Sequence, residues 1–490
     1  MNKLIKLFIA SALVMGFQVP AFAQASLEEV IVTAQRTEQS LQDVPIAVTA
    51  LSSDDLDTKQ VITFSDLQLN VPGLNFGQTN FSGSSINIRG IGNLSTGDSF
   101  DGSVSYHIND GTITTTGIGV ENYDVERIEI LRGPQGTLFG RGTTAGSVNV
   151  INNKAELGED YGKIKVTAGN YKTQKLEYMA NLSITDQVSA RFAGYALKRD
   201  GYIDNLYLPD TNYDGRDQNS ARLSLAWEND QTRIDFNHEV YNEDSTRALK
   251  GDYICENSPT PDRGCTFGGQ KREQANPAGT YDGIIAAALL GIAPAGANID
   301  AYIKSGLLST ADNSVRPANM QRGQTHVDFA PVWEVDSDLT QLLISHDLDA
   351  GTLSFNATLQ DSNYYNRADT DMAVGPRIGC ANTAGNIVVN DGTGVCLRDA
   401  DNASGGVFNL MNIAVGGYRG VRGPTIAEEI AGNITALEQD KYLLVKNYNR
   451  TAFIDGNTGE RQTRYYELKF NSDFDGPHNF LFGVNTFEIE

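Results

Sequence analysis

From Tyr161 onward this chain alternates apolar and polar residues with a period of two. Ile234, Phe236, His238 and Val240 interleave with Arg233, Asp235, Asn237 and Glu239, and Leu353, Phe355, Ala357 and Leu359 with Ser354, Asn356, Thr358 and Gln360. The same holds for Ala221, Leu223, Leu225 and Trp227 against Arg222 and Ser224, and for Tyr466, Leu468 and Phe470 against Glu467, Lys469 and Asn471. Such alternation gives each strand one apolar and one polar face. It predicts nine strands, at about 162–169, 173–184, 187–198, 218–228, 231–242, 338–348, 351–362, 462–472 and 479–488. A soluble sandwich would also alternate, so the connections decide. Those at Thr185-Asp186, Asn229-Asp230, 349–351 and 472–479 are tight, whereas 199–217, 242–338 and 363–461 are long. Short turns at one end and long loops at the other are the asymmetry of a membrane barrel, and Trp227, at a short-turn end, suits an interfacial aromatic girdle. Nine is odd, and a barrel in lipid must close its edges. The expectation is therefore a truncated product or gene fragment carrying less than half of a barrel of roughly 22 strands.

The residues before Tyr161 follow another pattern. Short apolar runs at Ile46–Thr49, Ile86–Arg89, Val104–Ile108, Val125–Leu131 and Ser147–Ile151 predict strands. Asp54–Gln60 and Phe64–Asn70 predict short helices, capped by Ser53 and by Thr63 or Ser65. Together they predict a small α+β domain over 41–157, ahead of the barrel part at 158–490. Within 24–40, the pentad Val30–Ala34 has polar flanks and is expected to be an isolated strand without a hairpin partner. Lys3 and Lys6, the apolar run Leu7–Phe17 and the Ala21-Phe22-Ala23 site make 1–23 a cleaved signal peptide. Its apolar stretch is shorter than the roughly 20 residues a spanning helix needs.

Composition narrows the function. With 38 Lys and Arg against 61 Asp and Glu, a net charge of −23 excludes nucleic acid as a partner. Export places the four cysteines in an oxidising compartment, where Cys255 with Cys265 and Cys380 with Cys396 would each close a local loop. Zinc lacks its knuckle spacing and a nearby histidine. No nucleophile elbow or H-E-x-x-H occurs among the scattered histidines, and the glycine-rich run 140–147 lacks the spacing and lysine of a phosphate cradle. Neither an enzyme nor a metal or other cofactor is expected.

One constellation remains. Val125-Glu126-Arg127-Ile128-Glu129-Ile130-Leu131-Arg132 runs into Gly133, Pro134, Gly136 and Gly140, then into a second strand opened by Gly146. Arg89-Gly90 and Asp110-Gly111 precede it, with LQDVPIAVTAL from Leu41 as lead-in. This ordered set resembles the plug domain of TonB-dependent outer-membrane receptors, and Glu29, Val30, Ile31, Val32, Thr33 and Ala34 resemble their TonB box. The resemblance implies an energised importer of the bacterial outer membrane. Ligand binds the outer loops and plug apices, the box becomes accessible below, and TonB with its inner-membrane complex pulls on it. Ferric siderophores are the default cargo, with vitamin B12, oligosaccharides or aromatic compounds as alternatives. A passive porin is the rival reading, which a plug of this size argues against. The resemblance also implies a latch in which Arg89 and Arg132, buried on the plug flank, pair with barrel glutamates. In this chain, which is expected to lack those glutamates, the two arginines should be under-paired or satisfied locally.

Overall fold

Alternation builds one antiparallel sheet. The structure, a computed structural model, describes residues 31–33, 35–37, 39–78, 84–92, 102–114, 121–206, 208–209, 212–247, 323–325, 330–369, 379–381, 387–389, 454–476 and 478–490. The N-terminal part contains β1 (Ile31–Val32), β2 (Gln39–Ser40), β3 (Val48–Ser52), β4 (Leu74–Gln78), β5 (Ser84–Ile88), β6 (Ile91–Gly92), β7 (Val104–Ile108), β8 (Gly111–Ile113), β9 (Val125–Arg132) and β10 (Gly146–Asn152). Among them lie helices α1 (Ser53–Thr58), α2 (Phe64–Asn70) and α3 (Gly136–Phe139). Then follow β11 (Tyr161–Gly169), β12 (Thr173–Thr185), β13 (Val188–Arg199), β14 (Ile203–Asn205), β15 (Asn212–Tyr213), β16 (Arg216–Glu228), β17 (Thr232–Ser245), β18 (Gln324–Thr325), β19 (Val332–Leu348), β20 (Gly351–Asp369), β21 (Gly379–Ala381), β22 (Ile387–Val389), β23 (Ile454–Ser472) and β24 (Leu481–Ile489).

The nine long strands form a single sheet in the order β11-β12-β13-β16-β17-β19-β20-β23-β24, every neighbour antiparallel. All nine expected strands are present, and those flanking the long connections run further than alternation predicts. One face of this sheet carries exposed Ile164, Val166, Leu176, Leu225, Leu353 and Leu468. The opposite face turns Leu339, Gln341, Thr358 and Gln360, all buried, towards the N-terminal domain. Among the described residues no helix is long and apolar enough to cross a membrane.

The N-terminal domain is an α+β unit. Its main sheet has the order β3-β9-β10-β7-β8, with β7 and β10 parallel and the other pairs antiparallel, and β4-β5-β6 form a second, small sheet. Leu51, Phe64, Leu67, Ile86, Ile128, Ile130 and Val148 fill the core between sheet and helices. Each such side chain contributes about 1.5–3 kcal/mol when fully buried. Helix α1 is capped by Ser52 and not by Ser53. The Ser52 hydroxyl accepts from the Asp55 amide at 3.2 Å while the Asp55 carboxylate accepts from the Ser52 amide at 3.4 Å. This reciprocal pair needs an acidic residue three positions on. Thr63 and Asp66 build the same arrangement at α2, where the Thr63 amide donates to the carboxylate at 2.7 Å.

The leader, Glu29, Val30, Ala34, Cys255, Cys265, Cys396 and the side chain of Cys380 lie outside the described residues.

Candidate functional site

The apolar segment near the N-terminus is not isolated. Ile31 and Val32 pair antiparallel with Ser40 and Gln39, a correction to the expectation of an unpartnered strand. The chain folds back because Arg36 takes a left-handed conformation, φ 63°, and its amide donates to the Thr33 carbonyl at 2.8 Å. Val32 is fully buried against Leu131, Phe139 and Val44. The Thr33 amide and hydroxyl donate to the Glu129 carboxylate on β9, at 2.9 and 3.2 Å. Burial raises the Glu129 carboxyl above its usual range, against the Thr33 bond and the charge of Arg127.

Arg36 holds this segment to both parts of the molecule. Its guanidinium is buried, lies 4.2 Å from the centre of the Phe139 ring and donates to the Leu138 carbonyl at 3.1 Å. It sits 3.4 Å from the Asp110 carboxylate in the β7–β8 turn and 3.6 Å from Glu467 on β23. The Arg36 carbonyl accepts from Lys469 at 3.3 Å and from Asn471 at 3.1 Å, also on β23. Burial opposes the Asp110 charge, but Arg36 and Lys469 hold its carboxyl below the usual range. These contacts lie beside the short 473–480 turn, at the end of the sheet away from the long connections.

The glycine-rich positions serve the turns of this region. Gly90 sits in the β5–β6 turn with φ 77°. Gly133 and Pro134 follow β9, Gly136 opens α3 and Gly140 ends it. At Gly146, which opens β10 with φ 157°, an added Cβ would lie 2.2 Å from the Leu131 carbonyl oxygen. At Gly111 it would lie 2.0 Å from the Thr358 hydroxyl oxygen on β20, so this turn abuts the wall with no room for a side chain.

Arg89 and Arg132 lie apart from the contacts that join the two parts. Arg89 is exposed at the β5–β6 turn, where its amide donates to the Gly73 carbonyl at 2.7 Å. The expectation of a buried flank is corrected for this residue, because a left-handed turn position (φ 55°) throws it outward. Arg132 is half-buried at the end of β9 and its backbone bonds Ala47, while its buried Nε has no hydrogen-bond partner among the described residues.

Besides Arg36 with Glu467, ion pairs across the seam run from guanidiniums on the wall to a carboxylate of the N-terminal domain. Arg191 of β13 grips Asp124 with Nε at 2.8 Å and Nη2 at 2.6 Å. Arg222 of β16 donates to the Asp124 carbonyl at 2.9 Å and to Glu239 at 3.1 Å. Asn153 adds a bond to the same carboxylate at 3.0 Å. Although burial opposes the charge, the two guanidiniums keep the Asp124 carboxyl below its usual range. On the β19–β20 side the contacts are neutral. Asn109 donates to Gln341 at 2.9 Å, Gln341 to the Ile108 carbonyl at 2.8 Å, the Thr114 amide to Gln360 at 3.0 Å, and Asn356 to the Asn109 carbonyl at 3.1 Å. Between the two sides, Tyr106, Ile113, Tyr123, Arg222, Glu239 and Gln360 line a seam cavity of about 60 Å³, large enough for a few waters. The polar inward positions of alternating strands are the only sequence signal for Arg191, Arg222, Gln341 and Gln360. No such signal marks Arg36 or Asp124.

His107, on β7, is fully buried between the Ser105 hydroxyl at 2.7 Å and the Thr112 hydroxyl at 3.1 Å. Burial, and then the nearby Arg36 charge, lower its pKa from 6.5 to about 3. The unfolded chain would take up this proton below pH 6.5 while the folded domain refuses it until near pH 3. Stability is therefore complete above pH 6.5 and falls as acid is added, by up to about 1.4 kcal/mol per pH unit. The raised carboxyls of Glu129 and Glu121 act in the opposite sense as acid is added, so the comparison with a His107 variant isolates the imidazole. The melting temperature of the full chain should decline between about pH 6.5 and 4.5, and His107→Gln should flatten that decline. An unchanged slope in the variant would refute the assignment. Among the described residues no group of three or more His, Cys, Asp or Glu could hold a metal ion.

Comparison with known proteins places this architecture. Residues 40–147 match the family model described as TonB-dependent Receptor Plug Domain. The vitamin B12 transporter BtuB of Vibrio vulnificus (strain CMCP6) is 25% identical over 248 residues, covering 46% of this chain and 39% of that protein. The iron-regulated outer membrane virulence protein of Vibrio cholerae (strain O395) is 27% identical over 202 residues, covering 38% of this chain and 30% of that protein. The chain thus spans less than half the length of these curated relatives. In fold it is similar to the ferric yersiniabactin uptake receptor FyuA from Yersinia pestis, with TM-score 0.54 and 13% identity over 91% of this chain and 48% of that one. The open form of the ferric-catecholate import receptor Fiu from E. coli K12 gives TM-score 0.51 at 13% identity, over 92% of this chain and 50% of that one.

Proposed function

We propose that this chain, which belongs to the TonB-dependent receptors, works as part of an outer-membrane importer in which TonB, with its inner-membrane complex, pulls on the segment 29–34. Relatives in the family are transporters and receptors of the outer membrane, not enzymes. The cargo we favour is a ferric siderophore or another iron complex, in keeping with relatives named as iron-regulated and siderophore receptors. The apolar outer face of the strand sheet is its lipid contact.

The observation that carries this reading is the seating of Ile31–Thr33. The segment lies at the short-turn end, paired only to a two-residue strand, and is tied through Thr33 to Glu129 and through Arg36 to both Asp110 and Glu467. A strand held by so few main-chain bonds can be exchanged for the sheet edge of a partner. A force applied there loads the N-terminal domain against the wall. The Asp110-Gly111 turn, the glycines after β9 and the seam contacts would then transmit that load.

Ile31→Pro tests this. Proline removes the amide and fixes φ, so it blocks strand pairing with a partner while leaving the outer side untouched. Cells carrying the variant receptor should bind cargo normally and fail to accumulate it. Accumulation at the wild-type rate would overturn the reading. The disulfides Cys255–Cys265 and Cys380–Cys396 are proposed for the outer side.

A further inference from the structure

The N-terminal domain is held to the wall differently on its two sides. Its chain leaves through residues 153–160, which run from β10 into β11, and wall side chains grip this linker along its length. Asn181 of β12, fully buried, accepts from the Glu156 amide at 2.9 Å and donates to the Glu156 and Glu159 carbonyls at 2.8 and 2.6 Å. The Ser183 hydroxyl accepts from the Gly158 amide at 3.0 Å, and Arg233 of β17 donates to the Ala155 carbonyl at 3.0 Å. The same strands supply ion pairs across the seam, Lys175 of β12 to Glu121 at 2.5 Å and Arg191 of β13 to Asp124 at 2.6 Å.

On the other side the polar contacts of β19 and β20 with the domain are neutral, through Gln341, Asn356 and Gln360, and the Gly111 turn abuts Thr358. Charge-assisted hydrogen bonds are roughly twice as strong as neutral ones, so the grip is weaker here. The next strand, β23, holds the coupling segment, through Glu467, Lys469 and Asn471 against Arg36. In the strand order, β19 and β20 therefore lie between the strand that holds the coupling segment and the strands that hold the linker.

We infer that the clamped linker and the ion pairs beside it form a hinge, with Asn181 as its positioning residue, and that the domain swings about it so that the seam opens along β19 and β20. A pull on 29–34 first removes the Arg36 contacts and then meets neutral bonds that give way one after another. The linker meanwhile keeps the far end of the domain on the wall. Cargo passes on the β19–β20 side without the domain leaving. The direction of the pull rests on the proposed coupling role of 29–34, whereas the unequal grip belongs to the contacts of this chain.

Two fully buried hydroxyls on the inner wall report the two sides. Thr358 of β20 lies under the Gly111 turn, and Ser189 of β13 stands opposite Ser183, beside the linker. Each is replaced by cysteine in the full chain in detergent micelles, and its reaction with a maleimide is followed peptide by peptide in urea too dilute to unfold the sheet. Thr358→Cys should react about tenfold faster than Ser189→Cys, or more. Thr463→Cys on β23, also buried and with a hydroxyl that has no hydrogen-bond partner among the described residues, should react as fast as Thr358→Cys, so that the bond lost at Thr358 is not the cause. Asn181→Ala should raise labelling at Ser189→Cys and leave Thr358→Cys unchanged. Equal rates at the two sides, or faster labelling at Ser189→Cys, would overturn the hinge. That comparison is made with Asn181 intact, so it decides the matter even where Asn181→Ala fails to fold. In cells, Thr358→Cys should be labelled faster when the inner membrane is energised, and Ile31→Pro should abolish the gain. If the micelle order is as expected but energy brings no gain in cells, the importer reading falls and the hinge stands. If the micelle order is reversed while accumulation still needs the segment 29–34, the hinge falls and the importer reading stands.

Discussion

Asp124→Asn is expected to loosen the N-terminal domain in the strand sheet by about 3 kcal/mol, the low end of the cost of leaving a buried charge without its counter-ion. Arg191 and Arg222 are 3% and 4% exposed, so neither guanidinium can turn to water when the carboxylate is removed. Asparagine is the right replacement because Asp124 has φ 50°. Asparagine tolerates that conformation, whereas alanine would add backbone strain and confuse the result. Hydrogen exchange of the amides of Tyr123 and Asn153 should rise roughly a hundredfold, while that of the β19–β20 ladder should not move. A second variant makes the test sharper. In Asp124→Asn combined with Arg191→Gln one orphaned charge is gone, so the pair should be less destabilised than the single change, a coupling that a double-mutant cycle measures directly. Unchanged exchange in the single variant, or losses that merely add, would show that the ion pair is not what seats the domain.

Much of the wall is legible in the sequence because an inward polar face and an outward apolar one impose a period of two. The signal fails where the outward face ceases to be apolar. Beyond Leu339 and Leu359 the strand positions are dominated by Asp338, Asp336, Asp361 and Asn363, yet pairing continues through Asp338 with Asp361 and Asp336 with Asn363. Strands β19, β20 and β23 therefore extend several residues past their expected ends. Main-chain pairing needs no apolar side chain, so composition cannot mark where it stops. In the N-terminal domain, β8 is three residues long and β2 is two, too short for any period to show. For that reason the partner of Ile31 and Val32 leaves no mark in the sequence. The seam departs from expectation for a different reason. The residue types are right, guanidinium against carboxylate, but a sequence does not say which side of a long-range contact carries which charge. Arg89 is exposed, and the buried guanidiniums at the seam are Arg36 of the N-terminal part, beside Glu467, and Arg191 and Arg222 of the wall, beside Asp124.

Arg36→Ala is expected to release the segment 31–33 without unfolding the wall. The guanidinium contributes a cation–π contact with Phe139, worth about 2 kcal/mol where desolvated, and it is the counter-ion shared by Asp110 and Glu467. Without it those two carboxylates face one another across the seam, with Lys469 and Asn149 left to compensate. Val32 is the natural reporter, being fully buried in the seated state, so a Val32→Cys thiol reacts with a maleimide only when the segment leaves its place. Adding Arg36→Ala should raise the labelling rate tenfold or more, and Glu467→Gln, which removes one of the two carboxylates, should raise it less. Thermal unfolding of the sheet should stay within about 1 kcal/mol of the parent, since none of its ladder bonds involves Arg36. Equal labelling in the parent and in Arg36→Ala would mean that the short β1–β2 pairing and the Thr33 bonds to Glu129 hold the segment by themselves. In that case the force needed to withdraw it would be set at Glu129, inside the N-terminal domain, and not at the seam.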